Sequence, residues 1–110
     1  MRKLLVASIL MFGLAAHAET AGQATYEKQC KSCHGADGKG VEAKAKMFKL
    51  EVDKLNLGSA ESASATKDQI KEIIVKGKAK MPAYEKKLTA EEVDPLVQYT
   101  MDLAKAIRGK

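Results

Sequence analysis

Beyond residue 18 the apolar positions recur at three- and four-residue spacing, and no stretch shows the two-residue alternation of a strand, so the pattern predicts helices. The first predicted helix covers residues 21–31, with Ala24, Tyr26 and Cys30 along one side and Gly22 where another backbone can approach closely. Residues 35–40 hold three glycines and predict a turn-rich loop, followed by a weakly marked helix over 42–48. Residues 49–65 read as an apolar loop bearing Leu50, Val52, Leu55 and Leu57, then a run of small residues.

Thr66 and Gln69 have the spacing of a capping box, and Ile70, Ile73 and Ile74 form the stripe of a second helix that Gly77 is placed to end. Thr89 and Glu92 make a similar box before Val93, Leu96, Val97, Thr100, Leu103, Ala104 and Ile107. Pro95 leaves two possibilities for this last helix: a bend within it, or a start at Asp94 with Pro95 as its first residue. No repeat occurs at the periods of solenoids.

The first eighteen residues have a different pattern. Arg2 and Lys3 precede an apolar run that closes on Ala16-His17-Ala18, the three parts of a secretory signal. The run is shorter than the roughly 20 residues that span a bilayer, so we expect cleavage after Ala18 and no stable membrane insertion. Residues 19–110 then form one domain. The cut removes two bases and no acid, lowering the net charge from +5 to +3, and it takes away one of the two histidines, leaving His34.

Composition sharpens this picture. The whole chain is 110 residues with no tryptophan, three tyrosines and two phenylalanines, too small for a two-domain nucleotide enzyme or an α/β barrel. So short a domain needs help in building a core. A single remaining arginine, Arg108, and the lack of an aromatic stacking patch argue against nucleic acid as a partner.

Both cysteines lie in Cys30-Lys31-Ser32-Cys33-His34. Cys-x-x-Cys-His is the attachment spacing of a covalent haem: two thiols add across the vinyl groups and the adjacent imidazole reaches the iron. The same spacing would also serve a structural disulfide, a thioredoxin-type redox pair or a zinc site. The redox pair expects a βαβ pattern that is missing, and zinc would need a carboxylate as its fourth ligand.

With one histidine left, the sixth iron position falls to Met47, Met81, Met101, a lysine, or nothing. Met81 is favoured, because it sits in a loop between two capped helices where Pro82 stiffens the backbone. Met101 lies at the margin of the last apolar stripe and reads as packing, and Met47 as core or pocket lining.

These segments together resemble the small class I cytochromes c of the bacterial monohaem type: CKSCHGADGKG near the mature start, an isoleucine-bearing helix ending at Gly77, MPAY after it, and a last helix carrying Tyr99. The resemblance spans residues 19–110. It implies an all-α fold of three to four short helices around one haem c per chain, with the first and last helices crossing near Gly22, Tyr26 and Tyr99. It also implies Cys30 and Cys33 as thioether attachments and His34 and Met81 as ligands on opposite haem faces. The family's proline carbonyl that accepts the ligand histidine's proton has no counterpart between His34 and Met81, which leaves that partner unassigned.

A six-coordinate His/Met iron has no position for substrate, so the expected function is one-electron transfer by a monomeric periplasmic protein, not an enzyme. The alternatives are a haem-based ligand sensor or small haem enzyme with an open sixth site, and a module without haem. Lys76, Lys78, Lys80, Lys86 and Lys87 cluster around the ligand loop, where they would steer an acidic redox partner.

Overall fold

The computed structural model describes residues 20–109, all of them helix, turn or loop apart from one isolated bridge. The expected signal segment lies outside the described residues. In order the helices are α1 (Ala21–Gln29), α2 (Lys31–His34), α3 (Glu42–Met47), a 3-10 turn (Val52–Leu55), α4 (Ala60–Ala63), α5 (Lys67–Lys76) and α6 (Ala90–Arg108). The all-α expectation holds, with more short helices than expected. None of the helices among the described residues is long and apolar enough to cross a membrane.

The core is where α1, α5 and α6 meet. Tyr26 and Cys30 from the end of α1, Ile74 from α5 and Leu96 and Val97 from α6 form one buried cluster. Leu96 and Val97 are fully enclosed, and burial of each side chain contributes about 1.5–3 kcal/mol. α1 and α6 cross at Gly22, where an added Cβ would lie 2.8 Å from the Pro95 carbonyl carbon and 3.0 Å from Tyr99 Cβ. One turn later the Tyr26 and Tyr99 rings meet at 5.3 Å between centroids, tilted by 55°.

Local chemistry explains where the long helices start. Thr66 accepts from the Gln69 N–H at 3.1 Å while the Gln69 side chain accepts from the Thr66 N–H at 2.8 Å, a complete capping box. In α6 the Glu92 carboxylate accepts from the Thr89 N–H at 2.8 Å, so the helix begins there and runs through Pro95. That settles the choice left by the sequence: Asp94 is not the cap. Pro95 lacks one N–H, but its carbonyl lies against Gly22, and contact with α1 holds the turn in place.

Three differences from the expected pattern concern short elements. The first predicted helix divides at Cys30 into α1 and α2, and the loop predicted over 49–65 contains the 3-10 turn and α4. α4 forms because Ser59 caps it, accepting from the Ser62 N–H at 3.3 Å, in a segment with no apolar period to reveal it. Met47 is 64% exposed and so is not part of the core.

Candidate functional site

α2 carries Cys33 and His34, and Cys30 occupies the break before it. Both cysteines are free thiols. Cys30 belongs to the buried cluster, and burial, then proximity to Cys33, pushes its thiol up to about 11. The chain leaving α2 folds back at once: the Gly40 N–H donates to the His34 carbonyl at 2.8 Å and the Val41 N–H to the Cys33 carbonyl at 3.0 Å. Tyr26 fastens the same turn from the core side, its hydroxyl donating to the Gly35 carbonyl at 2.6 Å.

The unassigned partner of His34 is the Leu55 carbonyl, 2.8 Å from Nδ1. A carbonyl can only accept, so Nδ1 carries the proton and the lone pair sits on Nε2, free for a metal. The 3-10 turn presents this carbonyl, and its far side is pinned by the Leu57 N–H donating to the Gly38 carbonyl at 2.7 Å. Burial lowers the pKa of His34 more than the Leu55 hydrogen bond raises it, which favours the neutral imidazole that ligation requires. No sequence signal could have marked Leu55 for this role, because every residue offers a carbonyl.

Met81 approaches the cluster from another direction. After α5 the chain turns at Gly77, whose φ of 79° and ψ of 167° fall in a region open essentially to glycine alone. Lys78 and Met81 then exchange two backbone hydrogen bonds, of 3.1 and 2.9 Å. This tight turn sets Met81 half-buried against the cluster that includes Cys30 and Ile74. Met101 packs on the same cluster from α6, as the sequence suggests.

The Met81 loop is tied down at four points, one of them the Glu85 N–H donating to the Val75 carbonyl at 3.1 Å. The Tyr84 N–H donates to the Ile74 carbonyl at 3.0 Å, and its hydroxyl donates to the Gln29 carbonyl at 2.9 Å. Lys80 Nζ reaches the Phe48 carbonyl at 3.1 Å. Leu55 and Ile74 are buried, whereas Leu57, Ile70 and Ile73 are half-buried.

Two free thiols beside an imidazole with its Nδ1 already engaged, and a thioether seated in apolar surroundings, are a donor set that fits a covalent haem. Among the described residues no group of three or more His, Cys, Asp or Glu side chains could hold a bare metal ion.

Comparison with known proteins agrees. The family model described as cytochrome c oxidase, cbb3-type, subunit III, matches residues 17–99. The chain is a small class I cytochrome c. This cytochrome is 35% identical over 104 residues to cytochrome c-555 of Methylococcus capsulatus, with 86% of this chain and 76% of that one covered. It is also similar to a solved structure, the KustC0563 c-type cytochrome, with a TM-score of 0.61 and 30% identity over 74% of this chain and 95% of the other. The cytochrome therefore carries covalently bound haem c and acts in electron transfer.

Proposed function

We propose that this cytochrome is a periplasmic one-electron shuttle and not an enzyme, with a signal over residues 1–18 removed after Ala18 and residues 19–110 forming the working domain. It binds one haem through thioethers to Cys30 and Cys33, with His34 and Met81 as the two axial ligands. The bound haem supplies a single iron that alternates between the ferric and ferrous states.

The observation that carries this reading is the hydrogen bond from His34 Nδ1 to the Leu55 carbonyl, which turns Nε2 into the free donor. Met81 supports it from the apolar cluster shared with Cys30. A soft thioether favours the ferrous state and raises the potential, and two filled axial positions leave no place for a substrate. Leu55 carbonyl and Tyr26 hydroxyl hold the imidazole side of the site rigid, so electron transfer requires little rearrangement of the chain.

Lys76, Lys78, Lys80, Lys86 and Lys87 are all exposed around the Met81 loop and present positive charge to an acidic redox partner. Steering by this group predicts a reaction rate with the partner that falls as salt is added, and a rate independent of salt would refute it.

Absorption spectroscopy tests the ligand assignment. The purified protein should show low-spin bands and a weak near-infrared methionine–iron(III) band that Met81→Ala abolishes. Survival of the band in Met81→Ala would move the ligand to Met47 or Met101. High-spin bands that shift with carbon monoxide in the unmodified protein would indicate the sensor or enzyme alternative.

A further inference from the structure

The C-terminus of α1 poses a problem that the helix cannot solve alone. Its last carbonyls have no partners within α1, and the axis breaks at Cys30 immediately before the attachment helix. The Gln29 carbonyl is satisfied by the hydroxyl of Tyr84, a residue 55 positions later in the chain, at 2.9 Å. Tyr84 lies three residues after Met81, and only Pro82 and Ala83 separate them.

We propose that Tyr84 is a positioning residue for the sixth ligand, its hydrogen bond to the Gln29 carbonyl fastening the Met81 loop to the haem-attachment segment and holding the iron closed to outside ligands. This rests on Met81 being the sixth ligand. The loop is short, and one of its ends is fixed by the paired hydrogen bonds between Lys78 and Met81. Its other end is fixed by the Tyr84 N–H to Ile74, the Glu85 N–H to Val75 and the Tyr84 hydroxyl to Gln29. The two backbone bonds join the loop to α5, whereas the hydroxyl is the bond that joins it to the segment bearing Cys30. Outward movement of Met81 therefore has to break the hydroxyl bond or drag the α1 terminus with it. The proline between them transmits this restraint, since its ring fixes φ and reduces the ways in which Met81 could move independently.

Tyr84→Phe removes the hydroxyl and keeps the ring that Lys87 covers at 5.2 Å. Thr66→Ala is the control, because it removes a helix cap far from the loop and lowers stability by a comparable amount. Ferric holoprotein of each variant is mixed with imidazole, and the rate and affinity of methionine replacement are recorded. An outside ligand binds in proportion to the fraction of molecules with the loop open. Loss of one hydrogen bond predicts about a fivefold increase in both quantities for Tyr84→Phe, with the near-infrared band retained before imidazole is added. Thr66→Ala should stay within about twofold of the unmodified protein. If Tyr84→Phe also stays within that margin, or if Thr66→Ala matches it, the proposal is overturned. A near-infrared band missing from the unmodified protein would instead bring down the Met81 assignment, and this proposal with it.

Discussion

The two sides of the proposed haem site, that of His34 and that of Met81, are built by different means. On the His34 side, backbone hydrogen bonds dominate: Gly40 to His34, Val41 to Cys33, Leu57 to Gly38, and the Leu55 carbonyl receiving Nδ1–H. On the Met81 side the loop crosses from α5 to α6 and is held by one tight backbone turn, two backbone bonds to α5 and two side-chain reaches, from Tyr84 and Lys80. Backbone partners survive most substitutions, whereas each side-chain tie can be lost with one codon. The imidazole side should therefore be robust in its geometry, and the thioether side open to tuning.

The largest effect expected from this contrast is at Gly77. Val at this position would be forced into a backbone region that excludes side chains, with its Cβ 2.8 Å from the Ala83 nitrogen and the Met81 oxygen. Gly77→Val should destabilise the protein by about 3 kcal/mol or more in denaturant unfolding and weaken the near-infrared methionine band. Retention of both would mean that the turn is less constraining than its geometry implies.

A somewhat smaller effect probes the other side. Leu55 is buried, so Leu55→Ala should cost about 2–3 kcal/mol of stability. Its carbonyl remains, and the low-spin spectrum that reports His34 ligation should be unchanged. A switch to high-spin bands would show that His34 depends on the Leu55 side chain, and the contrast between backbone and side-chain support would fail.

The smallest effect concerns a charged link between the two sides. Glu61 stands between Lys54 of the 3-10 turn at 3.6 Å and Lys78 of the Met81 loop at 3.8 Å. All three side chains are more than half exposed, and such pairs contribute less than about 1 kcal/mol. Glu61→Gln should shift the unfolding midpoint only slightly and leave the spectrum unaltered at moderate salt. A marked loss of the methionine band would reveal electrostatic coupling between the two sides.

Much of this arrangement was legible along the chain because it depends on local chemistry. The Cys30-x-x-Cys33-His34 spacing points to a covalent haem once the missing βαβ pattern and the lack of further zinc ligands are weighed, and the capping box at Thr66 and Gln69 is complete within four residues. Gly22 opposite Tyr99 could be anticipated from its place beside Tyr26 and from the resemblance, and the crossing is found there. α4 was illegible since it carries no apolar stripe and depends on a serine cap in a run of small residues, and the 3-10 turn was illegible because its Val52 and Leu55 merge into an apolar run that also holds Leu50 and Leu57. The core half of the Met47 reading failed because hydrophobicity alone does not say which side of a one-and-a-half-turn helix faces inward.

The sequence by itself determined the cofactor chemistry, the helical class and the loop from which Met81 comes, because thiol spacing, apolar period and capping are properties of neighbouring residues. Tertiary structure decided which atoms hold that chemistry in place. The Leu55 carbonyl beneath His34 and the Gln29 carbonyl that receives Tyr84 are backbone groups indistinguishable from any others until the chain folds, as was the continuity of α6 through Pro95. A hydrogen bond between residues 21 or 55 positions apart exists only once helices brought together by burial of Tyr26, Ile74, Leu96 and Val97 fix the distance between them.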